Sequence, residues 1–225
     1  MSDAIYSAEK GNLRLEIHLD DGTAESPREW DNLGTMVCWH RRYNLGDEQP
    51  SSPPQEWMKE LARTFTNYEE LDCMSKRFQA LESISFEDAQ KIVDKHCVIL
   101  DLYLYDHSGI TMNTTGFSCP WDSGQVGWIY VTRVKVLEEW SRRRLTKKLR
   151  RKIEDLLRGE VSIYDQYIRG EVYGFKALRK TDLEDDFEDA EEEDSCWGFY
   201  GTEWEKNGLT ENLSEEFKPL VKELS

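Results

Sequence analysis

Asp106, His107, Cys119 and Asp122 fall within one stretch of the chain, and each is a residue type that can do chemistry. Two carboxylates brought together offer hard oxygen ligands to a divalent cation. A Cys held beside a His can become a thiolate nucleophile. The same stretch also has the composition of a recognition surface. Trp39, Tyr105 and Trp121 are rigid aromatics with polar tips, and Ser118 with the surrounding Gly, Thr and Asn residues supplies hydroxyl and backbone hydrogen bonds. His40, Arg41 and Arg42 belong to the same set, because arginines would offset the Asp residues if a nucleotide phosphate were the ligand. His40 and Asp47 flank a second loop. Neither the Asp106/Asp122 nor the His107/Cys119 spacing is diagnostic, and no P-loop, G-x-S-x-G, H-E-x-x-H or G-x-G-x-x-G motif occurs. A purely structural reading has Asp106 and His107 capping a turn, Cys119 as a small buried residue, and Trp121 and Trp128 in the core. The residue types favour binding over catalysis. They assign no metal and no cofactor, and they leave Asp106, His107, Cys119 and Asp122 as the catalytic candidates if the protein is an enzyme.

Positioning these residues requires strands on either side of them. In VILDLYLY (98–105) alternate apolar positions predict a strand buried on at least one face, the best candidate for a central strand. VGWIYVT (126–132) predicts its neighbour, so 106–124 becomes the connecting loop. NLRLEIHL (12–19) alternates as a half-buried strand and ends on DDG, and TMVCWH, EVYGFKAL (171–178) and SCWGFYG (195–201) add further strands. The segment 53–97 is a helical insertion. Two helices come from PPQEWMKELARTF and YEELDCMSKRFQAL, and a third from SFEDAQKIVDKHC with Ser85 as N-cap. Apolar spacing over 133–169 predicts one long helix with Gly159 at a kink. SEEFKPLVKEL predicts a terminal helix interrupted by Pro219. The expected class is α+β: a single domain spanning 1–225, with helices packed on a mixed or mainly antiparallel sheet.

The net charge of −16 is unevenly spread. Residues 181–194, TDLEDDFEDAEEED, carry ten carboxylates and no base, and are expected to form a flexible acidic loop. Residues 133–158 carry a local charge of +7, which leaves −13 for the rest. An acidic field of this size repels nucleic acid and can imitate it toward a DNA-binding protein. RRRLTKKLRRK (142–152) is basic enough for a nucleic-acid footprint but lacks interleaved aromatics or Gly, so direct nucleic-acid binding is not expected. Pairing with the acidic run is the favoured role. Five cysteines, widely spaced and without a C-x-x-C pair, point to reduced thiols. With no apolar leader or membrane-length run, the expected compartment is the cytoplasm.

Four blocks carry a resemblance: WDNLGTMVCWHRRYNLGD (30–47), LYLYDHSGITMNTTGFSCPWDSGQVGWIYV (102–131), RGEVSIYDQYIRGEVYGF (158–175) and DSCWGFYG (194–201). In these the chain resembles a family of small uncharacterised proteins encoded by bacteriophages and other mobile elements. The blocks transfer no chemistry. What the resemblance implies is context: a non-structural accessory protein in the cytoplasm of an infected bacterium, in gene neighbourhoods where inhibitors of host defence are common. The expected activity is inhibition of a host defence system, of anti-CRISPR or anti-restriction type. It would work by binding a basic or nucleic-acid-binding host protein, in part through a DNA-mimicking acidic surface that includes Asp185, Asp186, Glu191 and Glu192. The alternative is a small nucleotide-binding protein or enzyme that uses loop 106–124, either a hydrolase or nuclease or a protein sequestering a signal nucleotide.

Overall fold

The computed structural model describes residues 4–22, 24–65, 84–184 and 186–224. In chain order the strands are β1 (Tyr6–Lys10), β2 (Leu13–Leu19), β3 (Thr35–Cys38), β4 (Cys97–Asp106), β5 (Ile110–Asn113), β6 (Ser123–Thr132), β7 (Val172–Arg179) and β8 (Glu191–Tyr200). The α-helices are α1 (Pro54–Thr64), α2 (Phe86–His96), α3 (Arg133–Glu139), α4 (Lys147–Ile168) and α5 (Leu209–Asn212). The class is α+β, with helices packed on two antiparallel sheets. The chain divides into two compact units, Met1–Trp30 with Ile163–Ser225, and Asp31–Ser162, each holding one sheet. Among the described residues no helix is long and apolar enough to cross a membrane.

The sheet of the first unit has the order β1-β2-β7-β8. Alternation in LRLEIHL puts Leu15 and Ile17 on one face, both fully buried. They join Phe175 on β7, Phe199 on β8, and Phe217, Leu220 and Val221 from the chain's end in one core. Pro219 does not interrupt a helix there. It lies in the first turn of a 3-10 helix, Lys218–Glu223, where its missing N–H costs nothing. β1 was not foreseen, since YSAEK has little apolar alternation and is held by pairing with β2.

The acidic run is not a loop throughout. Phe187 is buried in a short 3-10 turn, with the cations of Arg14 and Lys180 within 4.3 and 4.2 Å of its ring centroid. Glu191–Asp194 open β8 paired with β7, Arg179 facing Glu191 and, after a register shift, Ala177 facing Asp194. The bases of β7 explain the ordering. Lys176 pairs with Glu192 at 2.9 Å and Arg179 pairs with Glu193, so the run finds counter-charge on its neighbouring strand. Carboxylates along an edge strand also discourage further strand pairing.

In the second unit the order is β3-β6-β4-β5, so the expected central strand and its neighbour do lie side by side. Helices α1 and α2 cover one face. Trp57, Met58, Ala62, Ala89 and Val93 pack on Val37, Cys97 and Trp128. Trp57 and Trp128 stack at 5.5 Å. α1 opens on Pro54, and Ser85 caps α2 by accepting from the Asp88 N–H. The helix expected over YEELDCMSKRFQAL lies outside the described residues. The long helix expected over 133–169 is two, α3 and α4, separated at Trp140–Thr146 with Ser141 at φ +48°. Thr146 starts α4 anew by accepting from the Leu149 N–H. Gly159 sits inside α4, where Ile153, Leu157 and Val161 form the buried stripe.

Candidate functional site

Most of the predicted residues meet at one end of the second unit's sheet. The β4/β6 ladder pairs Tyr105 with Ser123, and the Asp106 N–H donates to the Asp122 carbonyl at 2.8 Å. Strand pairing thus closes the loop that separates them in sequence. Within that loop β5 forms an unforeseen hairpin with β4, turning through Ser108 at φ +56° and Gly109. The remainder is fixed by side chains. Asn113 accepts from the N–H groups of Thr115 and Gly116, at 3.0 and 2.7 Å, and the Ser123 hydroxyl donates to the Cys119 carbonyl.

The loop 39–47 supplies a second layer. Arg42 forms an ion pair with Asp106, and its guanidinium lies 5.4 Å over the Tyr43 ring. His40 stacks on Tyr43 at 4.9 Å, and its Nδ1 accepts from the N–H groups of Arg42 and Tyr43, at 3.3 and 3.2 Å. With Nδ1 used as acceptor, the neutral ring carries its proton on Nε2, which lies 3.9 Å from Asp106 Oδ2. Asp47 faces elsewhere: its carboxylate accepts from the Met36 N–H at 2.7 Å and ties the loop to β3. Trp39 belongs to the aromatic cluster, 5.6 Å from both Trp57 and Trp128, and donates its indole N–H to the Ser52 carbonyl. Tyr105 has ring contacts with His107 and Phe117. Arg41 and Ser118 are exposed, and Trp121 is 91% exposed rather than part of a core. Asp186, Glu191 and Glu192 belong to the other unit, and Asp185 lies outside the described residues. Hydrogen bonds from Lys176 and then Ser195 hold the Glu192 carboxyl below its ordinary range.

These contacts constrain the chemistry. His107 Nδ1 and Cys119 Sγ both approach Asp122 Oδ2, at 3.5 and 3.6 Å. Two groups converging on one carboxylate form a hydrogen-bonded turn, whereas thiol activation needs the imidazole against the sulfur. Asp106 is engaged by Arg42, and among the described residues no group of three or more His, Cys, Asp or Glu could hold a metal ion. Burial pushes the Cys97 thiol up to about 12, which suppresses its thiolate. Cys97 and the buried Cys38 are therefore expected to resist iodoacetamide in the native protein at about pH 8 and to react only after denaturation. Peptide mass spectrometry checks this; native-state alkylation of either would show that this core opens.

Sequence reasoning missed Glu160. Its carboxylate, on α4, accepts from the Leu33 N–H at 2.8 Å and the Gly34 N–H at 3.2 Å. Lys135 Nζ donates to the carbonyls of Asn32 and Leu33, both at 3.0 Å, clamping the same turn from α3. The only available signal was that WDNLG and RGEV both fall in the blocks that carry the resemblance. Arg150, within the basic stretch 142–152, is turned to a structural use: its guanidinium donates to the carbonyls of Asp94 and Cys97, at 2.7 and 2.8 Å, at the C-terminal end of α2.

Comparison of the chain with protein-family models, with curated proteins and with solved structures returns no match.

Proposed function

We propose that the protein acts by binding a macromolecular partner rather than by turning over a substrate, and that the partner is a bacterial host defence protein that is itself basic or nucleic-acid-binding. One observation carries the binding role: Trp121 stands 91% exposed on a loop whose backbone is held by strand pairing and side-chain hydrogen bonds. An indole presented on a fixed loop offers a large apolar contact with little entropy left to lose, the property of an interface anchor. Tyr105, Phe117 and the Arg42–Asp106 pair lie in or beside the same loops and would form a mixed rim. The identity of the partner rests on the resemblance and on charge. At a net −16, with Glu191–Glu193 exposed on an edge strand, the surface would steer association with a cationic partner and imitate nucleic acid in part.

The test is plating efficiency of phage on hosts carrying a restriction or CRISPR system, with the protein expressed in trans. Trp121→Ala is expected to abolish protection while the thermal midpoint stays unchanged, because an exposed indole contributes little to folding. His107→Ala and Cys119→Ala are expected to keep protection. Loss of protection in those two variants with folding intact would instead support the enzyme reading, and full protection by Trp121→Ala would remove the anchor.

A further inference from the structure

The connection from α3 to α4 forms a cleft of about 520 Å³ whose lining includes Trp140, Arg142, Arg143, Arg144, Lys148 and Lys152. In a chain of net charge −16, five cations here line one concavity. Among the described residues of this unit none of the five has a carboxylate within ion-pair distance. Their neighbours on α4 differ, Arg150 pairing with Glu154 at 3.9 Å and Arg158 with Asp155 at 3.0 Å. Like charges gathered without a counter-charge on the protein give a local positive field that attracts an anion. The N-terminal end of the 22-residue α4 opens at the same place through Thr146, adding its partial positive charge.

The lining is not purely cationic. Trp140 is half-buried, with Lys152 Nζ 5.8 Å from its ring centroid, and Leu149 adds apolar surface beside it. Guanidinium groups suit phosphate oxygens bidentately, and an indole suits a nucleobase face. Ligand size follows from the surroundings. Exposed charges act over a screening length of about 8 Å at physiological salt, so a small polyanion can be held inside the cation cluster. A long nucleic acid would have to run on over a protein whose remaining charge is strongly negative.

We propose that this cleft binds a nucleoside polyphosphate, with its phosphates on Arg142, Arg143, Arg144 and Lys148 and its base against Trp140. The site is separate from the Trp121 surface, and either can fail without the other. Isothermal titration calorimetry on the full chain tests it with ATP, tripolyphosphate, adenosine and a single-stranded oligonucleotide of about twenty bases. ATP is expected to bind, tripolyphosphate more weakly, and adenosine not at all. R143E/R144E should weaken ATP at least about tenfold. Trp140→Ala should weaken ATP by about tenfold while leaving tripolyphosphate within about twofold, and Trp140→Phe should restore ATP binding. Thermal midpoints confirm that these surface variants fold. Absence of ATP binding, or unchanged binding in R143E/R144E, overturns the proposal. Equal losses for ATP and tripolyphosphate in Trp140→Ala, without rescue by Phe, would make Trp140 structural and remove the base subsite. Tighter binding of the oligonucleotide than of ATP at physiological salt would make the cleft a nucleic-acid surface and overturn the small-ligand assignment.

Discussion

Gly127→Ala is expected to destabilise the second unit by about 4 kcal/mol or more, among the largest effects a single methyl can have. Gly127 on β6 lies opposite Cys38 on β3, and a Cβ built there would fall 1.9 Å from the Val37 carbonyl oxygen and 2.9 Å from its carbonyl carbon. The obstructing atoms are backbone, so no rotamer change relieves the clash. β3 would have to lift from β6, weakening the Trp39 N–H bond to the Val126 carbonyl and exposing Val37 and Trp128 from the core under α1 and α2. Gly124→Ala in the same strand is the control. Its Cβ meets nothing within 4 Å, and the expected change is below about 1 kcal/mol. Urea unfolding monitored by Trp fluorescence measures both, and similar midpoints for the two variants would show that β3 is not held against β6 as described.

Glu160→Ala is expected to cost about 3 kcal/mol, because it strips a charged acceptor from the Leu33 and Gly34 amides in a partly buried turn. Gly34 is buried, with Leu157 and Ile129 close enough that a Cβ would lie 2.5 and 2.8 Å from them, so the turn cannot swing out to hydrate its amides. Lys135 would still hold the carbonyls of the turn but not its amides. Glu160→Gln keeps one acceptor oxygen and should cost about half as much. Hydrogen exchange read by mass spectrometry supplies a local check: protection at Leu33 and Gly34 should fall first in Ala, less in Gln. Unchanged protection in Glu160→Ala would refute the clamp.

The sequence by itself determined those elements whose information is local. Alternation in LRLEIHL, VILDLYLY, VGWIYVT and EVYGFKAL marked β2, β4, β6 and β7, since side chains on a strand alternate between faces whatever the strand pairs with. Pro54 and Ser85 marked the starts of α1 and α2, because their effect is confined to one turn. Part of the site was legible for the same reason: a loop dense in Gly, Ser and Thr between two apolar strands had to sit at a sheet's end. Tertiary structure decided whatever depends on a neighbour far along the chain. YSAEK is a strand because β2 offers it an edge, and the acidic EEED is a strand because β7 brings Lys176 and Arg179 alongside. Asp106 meets Arg42 across sixty-four positions, and Glu160 meets Gly34 across 126, through contacts that no local pattern encodes. Which strand lies beside which is chosen by the joint burial of faces such as Trp57 on Trp128. That choice made Cys119 and His107 two neighbours of Asp122 rather than the thiolate pair an enzyme would need, and set Trp121 out in solvent instead of in the core.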